Sequence, residues 1–337
     1  MGKRNGIEAI LAQGLDARAV TIYSPILDKL ALVEERLQDL AQTSIPELEP
    51  LLDHALSHGG KRVRPALTLL ASSMIPLESE NPIRMATGVE LLHLATLIHD
   101  DTVDDADTRR GRASVSSLWG KEVAVLLGDY LFATSATLVC DTGNLRVVRR
   151  FAETIMELAS GEIIEYFNTF NPQQELDRYY DRIYRKTASL FRTASETGAV
   201  LSAANEEQVC ALKDYGYNIG MAFQVVDDLL DILGDEAELG KPVGNDLRHG
   251  VLTLPSILLM QKYPLENPIP DLFSAPRQDE SLARTLDMIR NSSIVPDCFA
   301  IVRDYCDRAN RSLQCLPSCD SRESLETLAD YIRERSR

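Results

Sequence analysis

The chain has 337 residues, which is enough for two domains of roughly 150 residues or for one large domain. Hydrophobic residues make up 45% and charged residues 26%, a balance typical of globular proteins that excludes an intrinsically disordered chain. The formal net charge is −16, which argues against general nucleic-acid binding because that function needs a basic surface. No run approaches the roughly 20 apolar residues of a transmembrane helix. The most apolar stretch, 123–140, is interrupted by Asp129.

The cysteines and the N-terminus favour a cytoplasmic protein. Cys315 and Cys319 lie one helical turn apart, but no second Cys or His pair follows that would complete a zinc site. The N-terminal residues lack the apolar core of a signal peptide. We therefore expect reduced thiols in the cytoplasm. The six cysteines are Cys140, Cys210, Cys298, Cys306, Cys315 and Cys319.

Hydrophobic periodicity predicts an all-α protein. Apolar residues recur three and four positions apart, prolines occupy first-turn positions, and glycine-containing joints end several segments. The predicted helices are Pro25–Ala41, Pro46–Ser57, Pro65–Met74, Ile83–Asp105, Lys121–Cys140, Leu145–Phe167, Leu176–Thr197, Glu206–Gly234, Leu252–Lys262 and Leu282–Ile289, with two more between Val295 and Arg335 that break around Pro317.

The remaining segments favour one domain. Alternating runs bounded by hairpin turns, which are typical of β-strands, are absent from the sequence. Residues Tyr263–Glu280 contain four prolines and predict a surface loop. We find no internal repeat and no low-complexity linker. The sequence therefore predicts a single helical bundle over residues 1–337, with residues 1–20 as a flexible N-terminal segment.

Two aspartate-rich segments follow apolar helical runs. The first acidic motif (Asp100–Asp104) reads DDTVD and the second acidic motif (Asp227–Asp231) reads DDLLD. In each motif the first and last aspartates are four residues apart, so on a helix they share one face. At an effective dielectric of about 20 and a separation of roughly 6 Å, two carboxylates repel by about 3 kcal/mol. A bound cation would offset this repulsion.

The acidic motifs predict a magnesium–diphosphate site. Mg²⁺ usually takes one or two carboxylates and completes its coordination with water and substrate phosphates. Two carboxylate pairs on facing helices would therefore hold several metal ions and a diphosphate. The alternative is that both motifs are solvated helix faces. An EF-hand is disfavoured because neither motif has its central Gly and distal Glu.

Clustered bases accompany the acidic motifs. The basic motif (Gly59–Pro65) reads GGKRVRP and predicts a glycine turn that delivers three positive charges before a helix. Arg109 and Arg110 follow the first acidic motif closely. His93 lies seven residues before Asp100, on nearly the same helix face. An isolated histidine at this position is more often a core residue, but the basic residues of the neighbouring motifs favour a phosphate contact for His93. Further cations are supplied by Lys186, next to Thr187, and by Lys241.

Five motifs together resemble the trans-isoprenyl diphosphate synthases (polyprenyl synthetases). They occur in the family order over nearly the whole chain and read GGKRVRP, HDDTVDDADTRRG, RKTASL, FQVVDDLLD and GKPVGNDLRHGVLTLP. The resemblance implies an isoprenoid synthase fold around a deep central cavity and a homodimer. It implies condensation of isopentenyl diphosphate with an allylic diphosphate, assisted by two or three Mg²⁺ ions. We expect no nucleic-acid partner and no transmembrane segment, with transient membrane contact for product release.

The resemblance also implies residue roles. Isopentenyl diphosphate would be bound by Lys61, Arg64, His93 and Arg110. The allylic diphosphate would be contacted by Arg109, Lys186, Gln224 and Lys241, and Thr187 would stabilise the developing cation. The metal ions would be held by Asp100, Asp101, Asp104, Asp227, Asp228 and Asp231. One departure is that Val251 follows Gly250, where many relatives have lysine, which we interpret as a subclass difference.

Small residues before the first acidic motif predict a long product. In short-chain relatives bulky aromatics near these positions close the cavity floor. Here Leu92, Ala95 and Thr96 precede Asp100. Thr96 lies about 40° from Asp100 on a helical wheel and Ala95 about 140° away, so the role of Ala95 rests on the resemblance. An open tunnel implies six to ten isoprene units, and the alternative is ordinary helix packing.

Three other functions remain as alternatives. A class I terpene cyclase also ionises an allylic diphosphate at an aspartate-rich helix, but the basic motif and Arg110 argue for a second diphosphate site. A non-catalytic subunit of a heteromeric prenyl synthase would be expected to lose site residues, whereas this chain keeps nearly all. A metal-binding structural bundle would leave the bases unexplained.

Overall fold

A computed structural model describes residues 17–42, 44–57, 60–75, 77–109, 111–234, 243–274 and 278–334. The first helices are α1 (Ala17–Tyr23), α2 (Leu27–Ala41), α3 (Glu49–Leu56), α4 (Val63–Ser73), α5 (Asn81–Val103), α6 (Val115–Trp119), α7 (Lys121–Cys140) and α8 (Leu145–Asn168). They are followed by α9 (Leu176–Ile183), α10 (Ser189–Val200), α11 (Glu206–Leu233), α12 (Asn245–Arg248), α13 (Leu254–Lys262), α14 (Ile269–Ser274), α15 (Gln278–Arg290), α16 (Ile294–Ser312) and α17 (Asp320–Glu334). The predicted all-α class is confirmed.

The chain divides into two compact units. The first unit comprises the described parts of 1–153, 190–216 and 313–328. The second unit comprises the described parts of 154–189, 217–312 and 329–337. The first acidic motif belongs to the first unit, and the second acidic motif belongs to the second.

Helix α5 forms the centre of the first unit. It is buried on nearly every side and packs against α2, α4 and α7, as expected for a helix that is apolar all round. Glycines allow α5 and α7 to approach closely. A Cβ at Gly88 would lie 3.0 Å from Cγ2 of Val139, and a Cβ at Gly128 would lie 2.1 Å from Nε2 of His99. This close packing fixes the end of α5 that carries the first acidic motif.

The second unit is built around α13, which contacts α9, α15 and α16. Helix α13 begins at Leu254, shortly after the predicted start at Leu252, because Thr253 and Ser256 form a capping box and Pro255 lies in the first turn. A π-helical turn (Tyr184–Ala188) joins α9 to α10. Such turns insert one extra residue in a helix and are frequent at functional sites.

Several boundaries differ from the sequence prediction. The predicted loop Tyr263–Glu280 was wrong in part, since it contains α14 and the beginning of α15. A short antiparallel hairpin of β1 (Thr108–Arg109) and β2 (Arg112–Ala113) was not predicted, because two-residue strands carry no alternating pattern. Of the predicted flexible segment 1–20, residues 1–16 lie outside the described residues, and 17–20 begin α1. The helix Lys121–Cys140 was predicted with the observed bounds.

Helix α7 is long and apolar enough to cross a membrane by length and composition, with a mean hydropathy of 1.7. Among the described residues, α7 is the one helix that meets this test. Core helices of soluble proteins also meet it. One side of α7 packs against α5, and the other side exposes the charged Asp129. Composition alone therefore does not identify α7 as a membrane span.

Candidate active site

The first acidic motif lies at the C-terminal end of α5. Asp100 is half-buried in the last turn, and Asp104 is the exposed C-cap, whose backbone N–H donates to the carbonyl oxygen of Asp100 at 2.8 Å. Because the two aspartates are one turn apart, their carboxylates lie on one side of the helix end. The first unit thus presents the predicted carboxylate pair at the surface.

Asp101 has a different environment from its neighbours. Its side chain is buried and accepts hydrogen bonds from the Arg109 guanidinium, with Nε at 2.8 Å from Oδ1. Burial alone would lower the pKa of Arg109, but the hydrogen bond and charge of Asp101 raise it above the ordinary value. The hairpin that carries Arg109 is therefore held against α5 by this ion pair. Arg109 remains partly exposed, at 40% of its side chain.

Arg64 and His93, both predicted to bind isopentenyl diphosphate, lie together. Nη1 of Arg64, in the first turn of α4, is 3.1 Å from Nε2 of His93 on α5. The guanidinium also stacks over the Phe191 ring at 4.6 Å, a cation–π contact that orients its planar fork. The structure thus brings two predicted anion ligands into one cluster of the first unit.

The basic motif does not deliver three charges to a ligand, and this prediction was wrong for Arg62. Lys61 is exposed and Arg64 is half-buried, but Arg62 is 3% exposed and points into the core. There it pairs with Glu34, at 2.5 Å from Nε to Oε1, and with Glu90, at 2.6 Å from Nη1 to Oε1. The left-handed backbone of Arg62, with φ at 47°, turns its side chain inward between two basic neighbours. Arg62 therefore stabilises the fold.

Lys186 lies in the π-helical turn and contacts two glutamates of α8. Its Nζ is 2.9 Å from Glu162 and 2.6 Å from Glu165. Burial alone would raise the pKa of Glu165, but Lys186 and Arg182 lower it below the ordinary value. A Cβ at Gly161 would lie 2.8 Å from the backbone nitrogen of Lys186, so glycine is needed for α8 to approach the turn. The predicted diphosphate ligand is thus held by two carboxylates.

Thr187 and Gln224 are joined by a hydrogen bond. The Thr187 hydroxyl donates to Oε1 of Gln224 at 2.6 Å, and Nε2 of Gln224 donates to Oδ1 of Asp228 at 2.8 Å. The Tyr179 hydroxyl donates to the other oxygen of Asp228 at 2.6 Å. Burial raises the pKa of Asp228 to about 7, although the hydrogen bonds from Tyr179 and Gln224 act in the opposite direction.

The three aspartates of the second acidic motif differ in exposure. Asp227 is exposed, whereas Asp228 and Asp231 are 3% and 2% exposed. Oδ2 of Asp231 accepts a hydrogen bond from the backbone N–H of Asp246 at 3.1 Å, and its carbonyl oxygen accepts one from Gly244 at 2.8 Å. Asp231 therefore anchors the start of α12, and Asp227 is the accessible carboxylate of this motif.

The residues predicted to control product length lie in the middle of α5. Leu92 and Ala95 are fully buried, and Thr96 is half-buried with its hydroxyl donating to the His93 carbonyl oxygen at 2.8 Å. A small cavity of about 50 Å³ lies elsewhere along α5, where Leu94 and Asp101 contribute to its lining. None of the three candidates lines that cavity.

Two predicted ligands, Arg110 and Lys241, lie outside the described residues. Among the residues that the structure describes, no group of three or more His, Cys, Asp or Glu side chains could hold a metal ion alone. Mg²⁺ needs only one or two protein carboxylates when a substrate supplies phosphate oxygens. The accessible Asp100, Asp104 and Asp227 fit that chemistry.

Sequence reasoning missed several residues that pair with the predicted site residues or with Arg62. Glu162 and Glu165 are three apart, so their shared helix face could have been recognised as an acidic partner for a lysine. Tyr179 lies in the run RYYDRIY, where nothing distinguishes it from its aromatic neighbours. Glu34 and Glu90 are remote in sequence from Arg62, so no spacing pattern indicates that they pair with it.

The helical fold, the aspartate-rich helix ends and the clustered bases together define a prenyltransferase of the all-α class. The model of the family described as polyprenyl synthetase matches residues 45–289, and the chain belongs to this family. The family predicted from the motifs is thereby confirmed.

Known proteins of this family match nearly the whole chain. Component 2 of heptaprenyl diphosphate synthase from Geobacillus stearothermophilus is 37% identical, over 93% of this chain and 98% of its own. The crystal structure of a decaprenyl diphosphate synthase from Rhodobacter capsulatus has a TM-score of 0.89 at 35% identity, covering 95% of this chain and 99% of that one. A polyprenyl synthase from Caulobacter crescentus, complexed with calcium and isoprenyl diphosphate, has a TM-score of 0.87 at 32% identity, covering 94% and 96%.

Lys61 is exposed and Arg62 is buried, so substituting them should change the free energy of unfolding by very different amounts. We expect Arg62→Ala to lower the free energy of unfolding by about 3–5 kcal/mol, because it leaves two buried glutamates without their cation. Urea denaturation measures this change. Lys61→Ala is the matched control, with an expected change within about 0.5 kcal/mol. Equal stabilities of the two variants would contradict the assignment of Arg62 to the core.

Proposed function

We propose that the protein is an all-trans polyprenyl diphosphate synthase, which adds isopentenyl diphosphate units to an allylic diphosphate and makes a long-chain product. The observation that carries this proposal is the Arg64–His93 cluster, with Nη1 and Nε2 at 3.1 Å, in the unit that also bears the first acidic motif. Such a cluster would bind a second diphosphate, which a terpene cyclase does not need. The heptaprenyl and decaprenyl relatives support a long product.

We propose that two or three Mg²⁺ ions bind with the substrates. Asp100, Asp104 and Asp227 would hold them, since these are the accessible hard oxygen donors of the two acidic motifs. When bound, the ions would lower the charge of the departing diphosphate as Lewis acids. Asp101, Asp228 and Asp231 have their side chains engaged by other protein groups.

The side chains have distinct tasks in the reaction. Lys186 and Arg109 would orient the allylic diphosphate, whose C–O bond breaks to leave an allylic cation and free diphosphate. Arg64 and His93 would hold isopentenyl diphosphate so that its double bond meets the cation and forms the new C–C bond. A proton is then lost to the released diphosphate, so no dedicated base is needed. Water would have to be excluded during this step, because it would quench the cation.

We further propose that the enzyme is a homodimer in the cytoplasm. On α7 the side chains of Val125, Leu126 and Tyr130 are 43%, 67% and 38% exposed, and exposed apolar patches of this kind mark interfaces. The six cysteines are scattered and sparse for the length of the chain, a usage typical of proteins in a reducing compartment.

The metal-binding assignment predicts loss of catalysis without loss of fold. We expect Asp100→Ala and Asp227→Ala each to lower kcat by about 10²- to 10³-fold, because each removes oriented charge from the leaving group. Radiolabelled isopentenyl diphosphate incorporation measures the rate, and circular dichroism checks the fold. Asp39→Ala, at an exposed site on α2, is the matched control and should leave the rate unchanged. Wild-type rates in either site variant would refute the assignment.

The product-length hypothesis predicts that bulk at two positions of α5 shortens the product. We expect Ala95→Phe and Thr96→Phe to give products with fewer isoprene units than the wild type, measured by reversed-phase chromatography of the dephosphorylated chains. Ala95 is fully buried, so its variant needs a check of thermal unfolding, and the half-buried Thr96 provides the second test. An unchanged product from a folded Thr96→Phe enzyme would contradict the hypothesis.

The proposed dimer predicts a change in oligomeric state. We expect Leu126→Glu to shift the protein toward monomer in light scattering, since a charge would be buried at the interface. Leu265→Glu changes a leucine that is 96% exposed in the second unit and should leave the dimer intact. A wild-type monomer, or a dimer in both variants, would refute this surface. An active purified chain would also argue against the heteromeric alternative.

A further inference from the structure

Four side chains of the second unit form a continuous polar relay, defined here as Tyr179, Thr187, Gln224 and Asp228. Three hydrogen bonds of 2.6–2.8 Å link them: Thr187 donates to Gln224, and Gln224 and Tyr179 each donate to the carboxylate of Asp228. Tyr179 and Asp228 are 0% and 3% exposed, so water does not compete at that end of the relay. The relay connects the π-helical turn to α11.

The chemistry of the relay fixes the direction of each donor. In its ionised form Asp228 only accepts hydrogen bonds, so the amide nitrogen of Gln224 faces it, as the 2.8 Å contact shows. The amide oxygen of Gln224 then faces Thr187, and the Thr187 hydroxyl must donate its proton to that oxygen. The hydroxyl proton is therefore directed away from any substrate, and only the lone pairs of Oγ1 remain for another contact.

We propose that Asp228 is a positioning residue that acts through Gln224 to hold Thr187 as an acceptor toward the allylic cation. This inference rests on the proposed function, because that reaction develops positive charge near the π-helical turn. An oxygen lone pair stabilises such charge, and a hydroxyl proton in the same place would oppose it. The orientation of the Thr187 hydroxyl matters most when water is excluded, because preorganised dipoles then act with little screening.

The engagement of Asp228 separates its role from that of Asp227. Both oxygens of Asp228 accept hydrogen bonds within the protein, from Tyr179 and from Gln224, whereas Asp227 is exposed. Adjacent aspartates of one motif therefore have different tasks. Asp227 would bind metal ions in the proposed reaction, whereas Asp228 would set the polarity of the relay.

The decisive variant is Asp228→Asn, which keeps the shape of the side chain and reverses the relay. With Tyr179 still donating to the asparagine oxygen, the new amide N–H must donate to Gln224. Gln224 accepts only if its amide turns over, and its nitrogen then faces Thr187. The Thr187 hydroxyl loses its acceptor and its proton points elsewhere. We expect the single-turnover rate to fall about 10- to 100-fold.

Three further readouts distinguish the relay from a purely structural role. The KM values of both substrates, the Mg²⁺ concentration at half-maximal rate and the affinity for a non-ionising allylic thiodiphosphate, measured by calorimetry, should change by less than about twofold. Thr187→Val should lower the rate as much as Asp228→Asn does. In the double variant Asp228→Asn should add almost nothing, because interacting residues are not additive. Thr187→Ser keeps the hydroxyl and should stay sensitive to Asp228→Asn.

The exposed Glu207 of α11 provides the control, since Glu207→Gln is the same carboxylate-to-amide change outside the relay and should leave the rate unchanged. A wild-type rate for Asp228→Asn would overturn the proposal, as would full additivity with Thr187→Val. A large loss of Mg²⁺ affinity would make Asp228 a direct metal ligand and overturn it too. Inactivity of the wild-type enzyme toward both substrates would refute the proposed function itself.

Discussion

Both acidic motifs place several carboxylates close together, and the repulsion between these carboxylates must be offset by the surrounding protein. A helix end with several aspartates is stable only if some of the charge is neutralised or held by donors. In the first motif Arg109 pairs with the buried Asp101, and in the second Tyr179 and Gln224 donate to the buried Asp228. The first aspartate of each motif is thereby left accessible. Each motif thus combines an internal support with an outward carboxylate.

The fold was predictable because helical periodicity is a local signal. The bounds Lys121–Cys140 were predicted correctly from the sequence, because apolar residues recur there three and four positions apart. The hairpin at β1 and β2 was missed because two-residue strands carry no alternating pattern, and the Asp101–Arg109 pair that holds it against α5 leaves no signal in the sequence. Helix α14 was missed because prolines suggested a loop, although proline is compatible with a first helical turn.

The site was predictable in residue type and only partly in orientation. The motifs predict that Arg64 and His93 are anion ligands, and the structure brings these two side chains together. They do not reveal that Arg62, between two such bases, pairs with buried glutamates. Nor does helical spacing reveal that Asp227 is exposed and Asp231 is buried, because the start of α12 packs against Asp231. Side-chain direction at helix ends depends on partners remote in sequence.

The glutamates that hold Lys186 have a consequence for turnover. When diphosphate departs, an isolated ammonium at a partly buried position would retain its ligand tightly, since no other anion could take its place. Glu162 and Glu165 lie within 2.9 Å of that ammonium and serve as resident counter-anions. When diphosphate leaves, the ammonium of Lys186 would bind the two glutamates instead and would not be left without a counter-anion. In the proposed reaction, in which each cycle of elongation ends with an expelled diphosphate, this exchange would lower the barrier to diphosphate release.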